Sequence, residues 1–266
     1  MLKLENICKT YNIGTVNEST LFTNFNLEVK KGEFISVIGS NGSGKTSMLN
    51  MICGSIPIDS GRIVVQGQDI TRMKDGIDLT HLPEHKRARY IGRVFQDPAK
   101  GTCPSMNILQ NMAMADNKGK PFNLTGGINK KRISFYQEQL SRLGLGLEDK
   151  LYVKLGALSG GQRQAMALLM STMTPLDFLI LDEHTAALDP KTSEIIMELT
   201  DEIVREKQLT TLMVTHNLRH AVTYGNRMIM MHQGGIVLDY EGDKKKNTNV
   251  EDVMGIFNSI SVECGN

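Results

Sequence analysis

Phe34-Ile35-Ser36-Val37-Ile38 runs without a break into Gly39-Ser40-Asn41-Gly42-Ser43-Gly44-Lys45-Thr46. A short apolar run that opens into G-x-x-x-x-G-K-[ST] reads as a buried strand followed by a phosphate-binding loop. The glycines allow a tight turn, so that successive backbone N–H groups from Gly39 to Gly44 point inward at an anion. Lys45 supplies a point charge for the β- and γ-phosphates, and the Thr46 hydroxyl is a ligand for Mg²⁺. The segment Ser47 to Cys53 has a helical pattern, which aims the positive end of a helix at the phosphates. A Gly/Ser turn with no ligand is the plain alternative for such a string. The strand before it and the helix after it favour nucleotide binding.

The remaining composition sets limits. With 266 residues and 29.5 kDa, the chain can bury one substantial core, or one core with a lobe attached. Its net charge of +1 and pI near 7.7 give no broad electrostatic footprint for nucleic acid or anionic lipid. Cys8, Cys53, Cys103 and Cys264 are too widely spaced for a C-x-x-C motif and suit a reducing cytosol. The start, Met1-Leu2-Lys3-Leu4-Glu5-Asn6, lacks the apolar stretch of a signal peptide. No run approaches the ~20 apolar residues that span a bilayer, so any membrane step needs another chain. Sixteen methionines with no tryptophan are expected mainly as buried gap fillers.

Along the chain, Met1 to Thr10 and Leu21 to Val29 alternate as half-buried antiparallel strands do. Gly61 to Gly67 and Tyr90 to Phe95 are further short strands. From Asn107 to Leu143 the pattern is helical, interrupted around Thr125 to Asn129, which predicts a helical lobe inserted into an α/β core. Phe178 to Leu181 and Thr211 to Val214, separated by the helical stretch Pro190 to Lys207, predict parallel strands joined by a right-handed crossover. Two strands flank Gln233-Gly234-Gly235, and Glu251 to Phe257 predicts a closing helix. Asp243 to Asn249, with its three lysines, reads as a solvated loop.

Four further strings narrow the class. Leu158-Ser159-Gly160-Gly161-Gln162 precedes the apolar helical run Ala165 to Met170. Phe178-Leu179-Ile180-Leu181-Asp182-Glu183 is an apolar strand ending in carboxylates, where ligands sit in parallel sheets. Thr211-Leu212-Met213-Val214-Thr215-His216 ends in a polar pair, and Val94-Phe95-Gln96-Asp97-Pro98 places a glutamine after a strand. Taken singly these have ordinary readings: a capped helix, a pair of solvated acids, a structural histidine, a turn residue. In this order, with Ser159 lying 159 − 45 = 114 positions after Lys45, they resemble the ATP-binding cassette (ABC) ATPases over nearly the whole chain.

The resemblance implies an α/β fold: a P-loop NTPase (RecA-like) parallel-sheet core with an N-terminal antiparallel β subdomain and an inserted helical lobe. It implies a single ABC ATPase domain over 1–266, with the core in 1–97 and 172–266 and the signature lobe in 98–171. By family pattern ATP and Mg²⁺ are the cofactors, held by Gly39, Ser40, Asn41, Gly42, Ser43, Gly44, Lys45, Thr46 and Ser47. Asp182, Thr46 and Gln96 are the metal positions. Glu183 polarises the attacking water, His216 stands by the γ-phosphate, and Gln96 and Lys45 complete the catalytic set. Tyr11 matches the aromatic residue that stacks on adenine. Ser159, Gly160, Gly161 and Gln162, with their helix N-terminus, complete the nucleotide site of an opposing subunit, and Asp189 matches the loop that contacts that subunit. His184 departs from the proline common after the glutamate and is expected as a neutral, packed histidine. Histidines 81, 85, 220 and 232 are expected at the surface or as caps.

Functionally the resemblance implies the energising subunit of a membrane transporter. It works as a head-to-tail homodimer on an integral-membrane permease, at the cytoplasmic face of the membrane, with an extracytoplasmic solute-binding protein as indirect partner and no nucleic acid. Import of a small solute, an amino acid or aromatic amino acid, fits the Asp182-to-Pro190 string and the lack of an acidic element in Lys154-Leu155-Gly156-Ala157. An exporter subunit, a soluble ABC ATPase of repair, translation or regulation, and a nucleotide-sensing scaffold are the alternatives.

Overall fold

The computed structural model describes residues 1–65, 76–120 and 126–263. The expected continuation of a strand through Gln66 and Gly67, the start of the lobe interruption at Thr125, and Cys264 lie outside the described residues.

β1 (Leu2–Tyr11) and β2 (Ser19–Val29) form an antiparallel pair, and β3 (Phe34–Gly39) leads into α1 (Lys45–Cys53). β4 (Ser60–Val65), β5 (Ile77–Asp78), α2 (Glu84–Arg87) and β6 (Ile91–Val94) follow. Next come α3 (Ile108–Asp116), α4 (Ile133–Ser141) and α5 (Gly160–Thr172). The chain then re-enters the core with β7 (Phe178–Asp182), α6 (Pro190–Glu206), β8 (Thr211–Val214) and α7 (Leu218–Thr223). It closes with β9 (Arg227–His232), β10 (Gly235–Glu241), α8 (Gly242–Lys246) and α9 (Val250–Glu263).

Among the described residues two sheets result, one four-stranded in the order β2-β1-β4-β5 and one six-stranded in the order β10-β9-β3-β8-β7-β6. The first is antiparallel. In the second, β6, β7, β8, β3 and β9 run parallel and β10 returns antiparallel. Strands of the parallel sheet are apolar on both faces because both are covered. Ile35, Val37, Ile180, Leu212, Val214 and Ile229 face α1 and the antiparallel sheet. Phe34, Leu179, Leu181 and Met213 face the side of Leu168, Met197 and Val204 from α5 and α6.

The alternation expected for β1 and β2 shifts phase partway along. Leu2 and Leu4 are buried, then Ile7; on β2, Phe22 is buried, then Phe25, Leu27 and Val29. Asn6 and Asn24 both take positive φ, 52° each, at breaks in the β1–β2 register, and Asn26 Oδ1 accepts from the Asn6 amide at 2.9 Å. Each bulge inserts a residue and returns the apolar side chains to the core.

The helices between β6 and β7 pack around a second cluster that includes Ile108, Met112, Tyr136, Leu140 and Met166 and is shared with Ile196 of α6. Beside it Arg132 forks onto Asp116 at 2.7 and 3.0 Å, and the Tyr136 hydroxyl donates to the same carboxylate at 2.9 Å. This anchors α3 to α4 with a bidentate charge-assisted pair.

Two expectations need correction. Asp243 to Asn249 is not a solvated loop, since its first part forms α8. Lys245 there is 3 % exposed, with its ammonium donating to the carbonyls of Val222 and Tyr224. The last turn of α7 leaves carbonyls without intrahelical donors, and Lys245 satisfies them. His220 is not at the surface either. It is 1 % exposed, with its Nε2–H directed at Glu194 Oε1, 3.2 Å away. His81 and His85 are exposed.

Candidate nucleotide site

The site is built where β3, β7 and β8 end side by side. β3 pairs with β8 and β8 with β7, so Gly39, Asp182 and Thr215 emerge at one sheet edge. The ladder continues past the strands: the Glu183 amide donates to Val214 O at 3.0 Å and the Thr215 amide to Val37 O at 3.1 Å. Strand ends in a parallel sheet form a crevice, and its occupants come from the loops.

The loop from Ser40 to Gly44 wraps the start of α1. Gly39 has φ 150°, and a Cβ there would fall on the Met231 carbonyl oxygen. Gly44 has φ 104°, and its Cβ would sit 2.8 Å from the Phe22 ring. Both positions therefore need glycine for conformation and for space. No side chain caps α1, so its first-turn amides are left to an external acceptor. Lys45 is 5 % exposed and folds back into the loop, where Nζ donates to Gly39 O at 2.8 Å and Ser40 O at 2.9 Å. Burial lowers the pKa of its ammonium, while the charge of Glu183 opposes that shift. In this conformation the Lys45 ammonium fills the loop, held by two of its carbonyls.

A cleft of about 690 Å³ opens beside this loop, lined among others by Thr46, Gln96, Gly160, Asp182 and Glu183. Glu183 takes φ 48° directly after β7 and receives His216 Nε2 at 2.7 Å on Oε1. The sequence thus places an acid and an imidazole from adjacent strand ends in hydrogen-bond contact. Gln96 is exposed after β6, and its loop is tied to the lobe by Gln164 Nε2, which donates to Phe95 O at 3.2 Å. Tyr11 stands at the far end of β1, with its hydroxyl donating to Ser47 Oγ at 3.1 Å and Lys9 Nζ 5.6 Å from its ring centre.

Ser159 caps α5, accepting from the Gln162 amide at 3.3 Å, while Gln162 Oε1 accepts from the Ser159 amide at 3.1 Å. This capping box sets Ser159 at the surface and Gly160 partly exposed, while Gly161 is buried; the Gly160 and Gly161 amides have no intrahelical acceptor. Of this string, Gly160 lines the cleft, and Gly161 is packed on Thr192. Asp189 is exposed and caps α6 by accepting from the Thr192 amide at 3.1 Å.

Hard oxygen donors suit Mg²⁺, and Thr46, Gln96 and Asp182 supply them within one cleft. Asp182 is held by a cation, because Arg93 Nη2 donates to its Oδ2 at 2.6 Å. No motif in the sequence singles out Arg93. The available signal is a lone arginine in the strand Ile91-Gly92-Arg93-Val94 of a covered sheet, which demands a buried counter-charge.

His184 behaves as the sequence suggests. It is 2 % exposed, and Nε2 lies 3.1 Å from Thr200 Oγ1. Thr200 spends its own proton on Ile196 O at 2.6 Å, so the histidine is the Nε2–H donor. Burial, with His220 nearby, pushes its pKa from 6.5 to about 3. The folded pKa is below the unfolded one, so the neutral ring contributes stability above pH 6.5 that is lost as pH falls towards about 3. Replacing His184 with Gln should flatten the fall in denaturation midpoint between those values. An unchanged slope would show that His184 does not set it.

The chain belongs to the ABC transporter family, whose model matches residues 22–186. It is an ATP-binding, ATP-hydrolysing subunit of such a transporter. It is 46 % identical over 257 residues to the tyrosine transport ATP-binding protein of Clostridioides difficile strain R20291, spanning 97 % of this chain and 98 % of that one. It is 31 % identical to a phosphonates import ATP-binding protein of Lactococcus lactis subsp. cremoris strain SK11, over 90 % and 92 % of the two chains. Among solved structures it resembles the ATP-binding cassette MJ0796, a dimer in a post-hydrolysis state with ADP and Pi. That match has a TM-score of 0.73 and 30 % identity, covering 91 % of this chain and 98 % of the other. Among the described residues, no helix is long and apolar enough to cross a membrane.

Proposed function

We propose that this subunit powers the import of an amino acid, tyrosine or a close relative, through a separate permease at the cytoplasmic face of the membrane. An extracytoplasmic solute-binding protein delivers the cargo. The observation that carries the catalytic part is the contact of His216 with Glu183, which itself lines the cleft with Thr46, Gln96 and Asp182. The cargo is supported by the name and near full-length match of the tyrosine transport relative.

In this reading the amides from Gly39 to Gly44 and of Thr46 and Ser47 receive the phosphates. Lys45 exchanges its loop carbonyls for phosphate oxygens, and Tyr11 stacks on the base. Thr46, Asp182 and Gln96 would hold Mg²⁺, which when bound neutralises charge on the β- and γ-phosphates. Glu183 accepts the proton of the attacking water, and His216 holds Glu183 and the γ-phosphate edge in place. Phosphoryl transfer needs positioning and charge stabilisation more than covalent chemistry, and this inventory supplies both.

The chain pairs head to tail with a second copy, the Ser159 to Gln162 helix end capping the nucleotide of its mate and Asp189 lying along the seam. The exposed helix N-terminus and the dimeric state of the MJ0796 cassette support this arrangement. The core, 1–97 and 172–266, binds nucleotide, and the lobe, 98–171, moves against it through the Gln96 loop to drive the permease. A strain lacking this chain should lose tyrosine uptake while keeping phosphonate and methionine uptake, and restoring the chain should restore it. Normal tyrosine uptake without the chain would reject the cargo assignment.

A further inference from the structure

Asp182 is shared in prospect by two cations. Arg93 reaches it from β6, with Nη2 2.6 Å from Oδ2 and both side chains little exposed, 12 % and 14 %. The guanidinium lies 4.6 Å over the Phe95 ring, immediately before Gln96, and its Nε is buried with no hydrogen-bond partner among the described residues. Cys53 also lies beside the guanidinium, but with Nε unsatisfied the arginine makes a strong ion pair that is incompletely hydrogen-bonded. Its departure therefore costs less than that of a fully bonded arginine.

We propose that Arg93 is a tethered counter-ion that occupies Asp182 in the nucleotide-free protein and yields the carboxylate when Mg²⁺ arrives with nucleotide. The proposal rests on the reading of Asp182 as a metal position. Two cations within a few ångströms repel strongly in a partly dry cleft, so the guanidinium and the metal compete for one carboxylate. Arg93 has somewhere to go. It lines the nucleotide cleft on one side and, on the other, a groove of about 380 Å³ whose wall includes Phe95, Lys118, Arg87 and Glu84, the carboxylate that Arg87 also faces. Sliding along the Phe95 face would carry the guanidinium into that groove, towards the carboxylate of Glu84. Arg93 is thus a positioning residue. It keeps Asp182 aimed into the cleft before the metal comes, and it raises the Mg²⁺ concentration needed to fill the site.

The test is binding of a fluorescent ADP analogue, titrated with Mg²⁺ from an EDTA baseline, for the wild type and Arg93→Gln. Removing the competitor should lower the half-saturating Mg²⁺ by about tenfold, the scale of a close charge pair. Affinity in EDTA should change little, because Lys45 and the loop amides provide it. An unshifted or raised Mg²⁺ midpoint overturns the proposal. In the wild type, labelled to report arginine Nε–H resonances, the Arg93 signal should move with Mg²⁺ and ADP together and not with ADP in EDTA. This second measurement serves even if the variant does not fold, and a signal indifferent to Mg²⁺ overturns the proposal equally. Failure of the wild type to bind the analogue under any condition would instead remove the nucleotide site itself.

Discussion

Replacing Glu183 with Gln is expected to leave ATP binding close to wild type while cutting turnover by about 10²- to 10⁴-fold, the usual contribution of a positioned general base. The amide is isosteric with the carboxylate, so the backbone at φ 48° and the contact to His216 at 2.7 Å are both accommodated. What is lost is the ability to accept a proton from water. The variant should accumulate with ATP bound, and as a closed dimer, because hydrolysis is what removes the bridging γ-phosphate. Phosphate release measured beside nucleotide binding separates the two effects. Turnover within a few-fold of wild type would remove Glu183 from the water's path and shift attention to Gln96 or His216.

Lys45→Ala should act earlier, on binding itself. Charge-assisted hydrogen bonds contribute about 1.5–3 kcal/mol, so losing the Lys45 contact to phosphate should weaken ATP binding by one to two orders of magnitude. The substitution also strips donors from the Gly39 and Ser40 carbonyls, which Lys45 satisfies at 2.8 and 2.9 Å. Some loss of thermal stability is therefore expected alongside, and the affinity should be measured well below the variant's midpoint. Unchanged ATP affinity in the folded variant would contradict the assignment.

The parts of the fold legible in the sequence are those set by local pattern. The run ending at Gly39, the apolar strands ending at Asp182 and Val214, and the Ser159 cap each lie within a few consecutive residues. Their apposition follows from parallel pairing, which brings every such strand end to one edge. The paired bulges at Asn6 and Asn24 were not legible, because a phase shift in one strand makes sense only against its partner. Long side chains that cap distant carbonyls escaped for the same reason. Arg87 donates to Met51 O and Ile52 O at the end of α1, and Lys245 to the end of α7, across gaps that no periodicity records. Within the site, the Arg93–Asp182 pair spans 89 positions, and only the oddity of an arginine in a covered strand hinted at it.

Division of each site between two copies is tested most directly by mixing two dead chains. One chain carries Lys45→Ala, and the other carries Ser159→Glu, which places a carboxylate where the partner's triphosphate should lie. Each alone should be inactive with ATP and Mg²⁺. In a mixed pair, one site combines both defects while the other joins an intact Lys45 to an intact Ser159. The mixture should therefore regain hydrolysis well above the sum of its components. A mixture that never exceeds that sum, although mixed dimers form, would contradict the account.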